Sequence, residues 1–110
     1  MDQSKDYKIA LCTSKGTYFF PPEEIIRLEA SSNYTNIYFI NHRPIMAAKV
    51  LKDYEEMLIP FGFVRTHRSH LVNKKYIMFV DIAGNIVMQD TSKAEVSRRK
   101  KTEVMKALKN

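Results

Sequence analysis

The sequence contains no tryptophan, one cysteine, three glycines and four prolines in 110 residues. The single cysteine, Cys12, has no partner for an intramolecular disulfide, which is typical of proteins that fold in the reducing cytoplasm. The chain also lacks an apolar run long enough for a secretory signal peptide or for crossing a bilayer. These absences argue against a disulfide-stapled secreted protein and a membrane protein, and they predict a cytoplasmic domain with no membrane partner.

Motifs typical of common enzymes are also missing. The chain has no nucleophile elbow, no paired-carboxylate motif and no glycine-rich phosphate loop, and its "KGTYFF" segment has a single glycine. Two histidines and a lysine could in principle cleave phosphodiesters by general acid–base chemistry, but their spacing assigns neither an acid nor a base. We therefore predict that the chain is not an enzyme and uses no cofactor.

A metal site is another interpretation of the histidines, because His67 and His70 have the spacing H-x-x-H. Structural zinc takes four ligands, and only His42 and Cys12 remain as further nitrogen or sulfur ligands, without forming a second ligand pair. Arginines on both sides of His67 would also repel a dication. The sequence therefore predicts no metal site.

Positive charge is unevenly distributed along the chain, whose net charge is +6. Residues 1–55 contain seven basic and seven acidic residues, whereas residues 56–110 contain eleven basic and five acidic residues. Six of the basic residues lie in the final segment "SRRKKTEVMKALKN". A basic half beside a neutral half is typical of a surface that binds nucleic acid, anionic lipid or an acidic protein, although a merely solvated basic face would have the same composition.

Short runs of β-branched and aromatic residues predict a mostly β fold. The predicted strands cover residues 7–12, 17–20, 24–29, 34–40, 63–66, 76–82, 86–90 and 94–97. Ala83-Gly84-Asn85 is expected to form a hairpin loop, because its glycine can adopt positive φ. Residues 1–6 are interpreted as a polar N-terminal tail and residues 7–110 as one domain.

Two segments have helical periodicity. Apolar residues between Ala47 and Ile59 recur at i, i+3, i+4, i+7 and i+11, and Pro60 ends this segment. A second helix is predicted to begin just after Ser97, a suitable N-cap, so that residues 98–101 place four cations in its first turn. The helix dipole disfavours cations at this end, and their presence beside free backbone N–H groups predicts an anion site.

The segment "RTHRSHLVN", residues 65–73, concentrates hydrogen-bond donors around one apolar pair, Leu71-Val72. We interpret it as a strand end followed by a loop that this pair anchors in the core, with Arg68 and Ser69 projecting outward. Arginine can bind guanine through two hydrogen bonds, and serine, histidine and lysine are suitable partners for phosphates. The segment therefore predicts a recognition surface, although His70 is expected to bond within the fold.

Several motifs in the same order resemble the LytTR DNA-binding domain family. "FVRTHRSHLVN" (63–73) is similar to the family's signature, and "IIRLEASSNYTNIYF" (25–39) resembles its strand–loop–strand opening. "KVLKDYEEML" (49–58) resembles its internal amphipathic helix, and "EVSRRKK" (95–101) resembles its closing strand-to-helix motif. The resemblance extends across nearly the whole chain. One departure is "MQDTSKAEVS" (88–97), where a glycine-containing turn is more usual in the family, so the geometry of this turn is in question.

The resemblance implies a mostly β fold of stacked small antiparallel sheets with one internal helix and a short C-terminal helix. It implies the output domain of a bacterial response regulator in a two-component system, which regulates transcription by binding double-stranded DNA. In this family the contacts come from loops that enter DNA grooves rather than from a recognition helix. The three loops correspond here to Ser31–Thr35, to His67–Ser69 with Lys74, and to Ser97–Lys101.

The resemblance also implies roles for individual residues. The residues expected near base edges are Asn33, Arg68 and Arg99. The residues expected to contact phosphates or sugars are Ser32, Tyr34, His67, Ser69, Lys74, Arg98 and Lys100. Two of the three loops lie in the basic half of the chain, and the charge count that shows this is independent of the motifs.

The expected assembly is two copies of the domain on a repeated DNA site, with a receiver domain outside this chain as a further partner. The chain would then be either an excised output domain or a stand-alone regulator. The alternative hypothesis is a β-rich interaction module whose basic C-terminal helix binds an acidic protein or a membrane surface. Sequence-selective binding to duplex DNA distinguishes the first hypothesis from this alternative.

Overall fold

A computed structural model of the protein describes residues 7–110, so the predicted polar tail of residues 1–6 lies outside the described residues. Within this range the strands are β1 Ile9–Thr13, β2 Gly16–Phe20, β3 Ile25–Ser31, β4 Tyr34–Phe39, β5 Ile45–Ala47, β6 Phe63–His67, β7 His70–Asn73, β8 Ile77–Val80, β9 Asn85–Met88 and β10 Lys93–Glu95. The helices are α1 Leu51–Leu58 and α2 Lys101–Lys109. The predicted mostly β class, with one internal and one C-terminal helix, is therefore confirmed.

The strands form three small antiparallel sheets. The largest has five strands in the order β5-β4-β3-β7-β6, so that β3 is its central strand. The β1–β2 hairpin forms a second sheet, and β10-β9-β8 form the third. Most paired strands follow each other directly in the sequence. The pair of β3 and β7 is different, because α1 and β6 lie between these two strands in the sequence. The central sheet is thus assembled from the three consecutive strands β3–β5 and the β6–β7 hairpin, with α1 between them in sequence.

Both faces of the five-stranded sheet are covered, because successive side chains of a strand point to opposite faces. On one face Leu28 and Leu71 pack with residues of β1 and α1, including Leu11 and Tyr54. On the other face Val72 belongs to a separate cluster, whose buried members are Ile26, Val72, Tyr76, Ile86, Met88 and Ala94. The leucine and the valine adjacent in β7 therefore hold two different layers against the sheet.

The start of α1 differs from its prediction. Ala47 was expected to open the helix, but it ends β5 and pairs with Thr35 of β4. The next amide, of Ala48, donates to the carbonyl oxygen of Cys12 at 2.8 Å, which keeps the chain extended. Val50 is then the N-cap, and it is 44 % exposed although the periodicity placed it in the core. Pairing at the sheet edge overrides the helical pattern before Leu51.

The turn between β9 and β10, within "MQDTSKAEVS", contains no glycine, and a threonine adopts the positive φ. Thr91 has a φ of 70°, in the left-handed region that β-branched residues rarely adopt. Its amide donates to the carbonyl oxygen of Met88 at 2.9 Å, and the Asp90 carboxylate accepts from the amide of Ser92 at 2.9 Å. The departure from the family pattern is therefore accommodated by local backbone strain and polar bonds rather than by a different fold.

Candidate nucleic-acid interface

Two hairpin turns lie side by side at one end of the five-stranded sheet. The β3–β4 hairpin turns at Ser32-Asn33, and the β6–β7 hairpin turns at Arg68-Ser69. Strands β3 and β7 pair antiparallel, with Glu29 opposite His70, so the end of β3 adjoins the start of β7. The amide of Ala30 donates to the carbonyl oxygen of Ser69 at 2.9 Å. Because neighbouring strands are about 4.8 Å apart, the two turns are centred roughly 10 Å from each other.

The first turn presents polar side chains and is anchored behind them. Ser32, Asn33 and Tyr34 are exposed, and Ser32 has a φ of 54°. Thr35 is fully buried, and its hydroxyl donates to the carbonyl oxygen of Lys49 at 2.8 Å. The three exposed residues are those for which the sequence predicted DNA contacts. The turn exposes them to solvent, and the buried Thr35 beside them anchors the backbone.

The second turn is supported from below by an arginine. Arg68 is exposed at its apex, as the sequence predicted. Arg65 lies beneath the turn, where its Nε donates to the carbonyl oxygen of His67 at 2.9 Å and its Nη2 to that of Arg68 at 2.6 Å. Its Nη1 forms an ion pair with Glu55 of α1 at 2.6 Å. The sequence interpretation treated this region as a loop, but it is a two-residue turn between paired strands.

A β-bulge in β6 attaches the third predicted segment to the second. The register of β6 against β7 shifts between Arg65 and His67. Thr66, at the bulge, is buried, and its hydroxyl donates to the carbonyl oxygen of Glu95 at 2.8 Å. Its own carbonyl oxygen accepts from the amide of Ser97 at 2.7 Å. A bulge re-aims backbone groups away from the regular ladder, and here it directs them to the chain just before Arg98.

This attachment makes the predicted start of α2 wrong. Ser97 is held extended by its bond to Thr66 and does not cap the helix. The helix begins at Lys101, its N-cap is Lys100, and the amide of Val104 makes an early helical bond to the Lys100 carbonyl oxygen at 2.8 Å. Residues 98–100 therefore form a turn before the helix, and only the last of the four cations lies in its first turn. The predicted anion site of four cations at the helix N-terminus is not formed.

The basic side chains of this region are exposed and are not compensated by acidic partners. Arg68, Arg98, Arg99 and Lys100 are all exposed. In the described part of the chain, none of the four forms an ion pair with a carboxylate. Arg68 and the 98–100 turn line one shared open depression together with His67 and a single carboxylate, that of Glu95. Uncompensated cations around a depression give it a positive potential, which attracts phosphate groups.

Two histidines and a glutamate meet beside this depression. The Nε2 atoms of His67 and His70 lie 3.9 and 3.8 Å from the same carboxylate oxygen of Glu95, which is 66 % exposed. The Nδ1 of His67 accepts a hydrogen bond from the amide of Ser69 at 3.0 Å, so the proton of the neutral ring is on Nε2. Coordination of a metal through Nε2 requires the opposite tautomer and a donor role for Nδ1. The geometry favours a cluster joined by polar contacts between the two rings and the carboxylate.

Burial dominates the chemistry of His70. The residue is 7 % exposed, and burial lowers the pKa of its imidazole. The carboxylates of Glu29 and Glu95 oppose this shift, whereas the cation of Arg27 and the ring of His67 add to it. His70 is buried within the fold, but the hydrogen bond expected for it is not found among the described residues: its Nδ1 has no partner, and its Nε2 lies 3.8 Å from the Glu95 carboxylate.

A comparison with known protein families identifies the family of this domain. The family model described as the LytTr DNA-binding domain matches residues 15–109. The chain belongs to the LytTR family. Its three exposed segments are therefore the turns of a LytTR domain, and the partner of that domain class is DNA. The family is one of DNA-binding rather than catalytic domains, and it occurs in the response regulators of two-component systems.

Individual relatives agree with the family assignment. The LytTR domain is 28 % identical over 106 residues to the sensory transduction protein LytT of Bacillus subtilis (strain 168), an alignment that covers 93 % of this chain and 44 % of that protein. The chain thus spans less than half the length of this relative. A solved LytTr DNA-binding domain from Bacillus cereus has the same fold, with a TM-score of 0.78 at 24 % identity over 93 % of this chain and 96 % of that one. Neither helix in residues 7–110 has the length and apolarity needed to cross a membrane.

Lys74 is the predicted contact residue that the LytTR domain does not bring to the other segments. It follows β7 at the end opposite Arg68-Ser69, about 13 Å away along the strand. Its ammonium contacts the carbonyl oxygen of Asn110, just beyond α2. The neighbouring Asn73 is buried, and its side chain donates to the carbonyl oxygen of Ile25 at 2.9 Å and accepts from the amide of Lys75 at 3.1 Å.

Several residues that organise the interface were missed by sequence reasoning. Arg65 and Thr66 lie within the signature motif, but their supporting roles depend on Glu55 and Glu95, which are distant in sequence. The signal that could have found Arg65 is its alternation with Val64 and Thr66, which puts it on the same strand face as His67. No local pattern identifies its partner on α1.

Proposed function

We propose that this LytTR domain binds duplex DNA with sequence specificity, through loops that enter DNA grooves. The observation that carries the proposal is the convergence of three exposed polar or basic segments at one region of a rigid sheet. Two of them are turns of neighbouring strand pairs, and the third is bonded to β6 through Thr66. Sites built on strand ends hold their side chains in defined positions, which base recognition requires.

The base contacts are proposed to come from one side chain in each segment. Arg68 and Arg99 present guanidinium groups that can bind guanine through two hydrogen bonds, and Asn33 can bind adenine in the same manner. All three side chains are exposed, and within the described part of the chain the two arginines have no acidic partner. They are therefore available to DNA without first breaking an ion pair.

The phosphate and sugar contacts are proposed to come from residues near these three and, in the case of Lys74, from the opposite end of β7. The proposed set is Ser32, Tyr34, His67, Ser69, Lys74, Arg98 and Lys100. In the second turn the amide of Ser69 already bonds His67, so the Ser69 hydroxyl rather than its amide is the group available to a phosphate. Such contacts fix the position of the domain on the duplex and provide most of the salt-dependent affinity.

The domain is further proposed to act as the output part of a bacterial transcription regulator, with two copies on a repeated site and a receiver domain outside this chain. The relative LytT is named a sensory transduction protein and is more than twice as long as the matched region, which supports additional sequence beyond this domain. A repeated site suits a small interface when the two copies are joined to each other, because the second contact then forms intramolecularly.

Selection of bound duplexes from a random pool tests the proposal directly. The expected result is enrichment of one sequence in two copies with fixed spacing, bound with a stoichiometry of two domains per duplex. A pool that remains random, with equal binding of all duplexes, contradicts sequence specificity. Anionic vesicles provide the comparison for the alternative module: binding to vesicles that is tighter than binding to every duplex would favour it.

A further inference from the structure

We propose that Arg65 is a positioning residue for DNA recognition, which fixes the β6–β7 turn and is itself held by Glu55 of α1. The inference rests on the proposed role of Arg68 in reading DNA and extends it to residues that do not contact DNA. Arg65 and Arg68 are separated by three positions in one motif, yet their surroundings assign them different tasks.

Arg65 uses its guanidinium entirely within the protein. It donates to two consecutive carbonyl oxygens, those of His67 at 2.9 Å and Arg68 at 2.6 Å, and a third nitrogen bonds the Glu55 carboxylate at 2.6 Å. The carboxylate neutralises its charge, and its side chain is 26 % exposed. An arginine that is paired and hydrogen-bonded in this way offers little attraction to a phosphate.

The two carbonyl bonds determine how the turn presents Arg68. The carbonyl oxygens of His67 and Arg68 belong to the two peptide groups that flank the Arg68 Cα, so the partner of these oxygens helps to orient both peptide planes. Arg65 captures the carbonyl oxygens on both sides of the Arg68 Cα and thereby fixes the direction in which its side chain leaves the chain. Without this support the turn must be ordered when DNA binds, and the ordering reduces affinity.

Glu55 connects the Arg65 side chain to α1, an element outside the strand that contains Arg65. It lies in α1, whose Tyr54 and Leu58 are fully buried against the sheet, so its backbone cannot move freely. The ion pair therefore holds the end of the Arg65 side chain against an element on the core side of the turn. Both side chains of the pair are only 26 % exposed, so measuring the stability of each variant is what separates a role in positioning from a role in folding.

The test compares binding to the selected duplex with binding to a scrambled duplex of the same length, by fluorescence anisotropy. Arg65→Lys keeps the positive charge but cannot donate to two carbonyl oxygens and a carboxylate in one plane. We expect it to weaken binding to the selected duplex roughly tenfold, because bonds from a charged group are lost. Binding to the scrambled duplex should change by less than about twofold, since the phosphate contacts remain.

Glu55→Gln and Glu56→Gln form a matched pair. Both remove one negative charge from α1, but Glu56 is exposed and forms no ion pair in the described part of the chain. Glu55→Gln should reduce the preference for the selected duplex by about threefold, as expected for weakening one charged hydrogen bond, and Glu56→Gln should leave it unchanged. Equal preference in these two variants and in the wild-type protein overturns the role of Glu55.

A double-mutant cycle with Arg68→Ala shows whether Arg65 acts through the turn. If it does, Arg65→Lys has almost no further effect once Arg68 is removed, because the positioned side chain is absent. Additive losses overturn the inference, as does unchanged selectivity in Arg65→Lys, and thermal unfolding of each variant identifies a general loss of structure. Failure of the proposed function is distinguishable, since the wild-type protein would then show no preference between the two duplexes.

Discussion

Arg65 and Arg68 illustrate how surroundings decide the role of a residue type. Both lie in one short motif, and sequence alone describes both as hydrogen-bond donors. The first is paired with Glu55 and bonded to backbone, whereas the second is exposed without an acidic partner among the described residues. Free donors are the ones that can exchange water for a base or phosphate, so the prediction for Arg68 is stronger than its motif position alone suggests.

Substitution of the proposed base-reading arginines should reduce selectivity. Arg68→Ala or Arg99→Ala is expected to weaken binding to the selected duplex by roughly 1–3 kcal/mol, because a two-bond contact to guanine is lost. The loss on a scrambled duplex should be much smaller. Titration of both duplexes at one salt concentration measures the difference, and equal losses on the two would assign these arginines to phosphates instead.

His70 should make the stability of the domain depend on pH. Burial lowers the pKa of its imidazole below the usual value of 6.5, so the unfolded chain binds a proton at His70 more readily than the folded chain does. The free energy of unfolding should therefore decrease as the pH falls through about 6.5. His70→Phe, which keeps a buried ring but does not titrate, should reduce this decrease.

Urea denaturation of the wild-type protein, of His70→Phe and of His42→Gln at pH 7.5 and pH 5.5 provides the measurement. His42 is exposed, so its replacement controls for the removal of any histidine. A pH dependence that is the same in all three proteins would mean that His70 does not contribute it.

At the scale of elements, strand pairing determines where helices and loops end. The helical periodicity from Ala47 was interrupted by β5, and the predicted cap at Ser97 was taken by the bulge in β6. Both differences have one cause: bonding to a strand partner keeps the backbone outside helical geometry, and each helix begins only after that bond, which is made by Ala48 before α1 and by Ser97 before α2. The β6–β7 turn follows the same rule, because the segment after Ser69 pairs with β3 instead of remaining a loop.

The turn between β9 and β10 contains backbone strain that can be removed. Thr91 is exposed and has a φ of 70°, which glycine adopts without steric cost. Thr91→Gly should therefore raise the free energy of unfolding by about 0.5–1 kcal/mol, even though glycine makes the unfolded chain more flexible. Thr91→Ala keeps a Cβ and should give no such gain in chemical denaturation. A Thr91→Gly protein less stable than Thr91→Ala would show that the turn is not strained.

At the scale of the whole molecule, the charge asymmetry of the sequence has a spatial counterpart. The basic half of the chain supplies the β6–β7 turn and the 98–100 turn, which lie together because Thr66 bonds Ser97. The neutral half supplies the β3–β4 turn, which adds polar side chains without charge. Affinity for DNA should consequently depend strongly on salt, and the dependence should come from the cations of the second and third segments.

The salt dependence can be assigned to single residues. Arg98→Ala should reduce the slope of log K against log salt concentration by about 0.9 on both duplexes, because one phosphate contact releases about one counterion. Lys106→Ala removes the same charge from the exposed side of α2, outside the three segments, and should leave the slope nearly unchanged. Equal changes in the two variants would indicate that only the total charge of the domain matters.

Much of the fold could be predicted from the sequence, because β-branched and aromatic runs, turn residues and one amphipathic helix are local patterns. The short strands β5 and β7 were not predicted. β5 has only three residues, and in β7 both faces are buried, so it has no alternation of apolar and polar side chains. The predicted contact residues are exposed with three exceptions: His67 and Ser69 are half-buried, and Lys74, also half-buried, lies at the other end of β7.

The sequence by itself determined the family, the mostly β class and which exposed residue types are available to DNA, since these follow from motifs, periodicity and charge. Only the tertiary structure decided which hydrogen-bond donors are exposed and which are bonded within the protein. The Glu55–Arg65 pair joins residues ten positions apart, and the bonds of Thr66 to the Glu95–Ser97 segment join residues about thirty positions apart. The start of α2 is a consequence of the Thr66 bonds. Local patterns carry no information on those partners, because the free energy that selects them arises when distant strands pair and close the two cores.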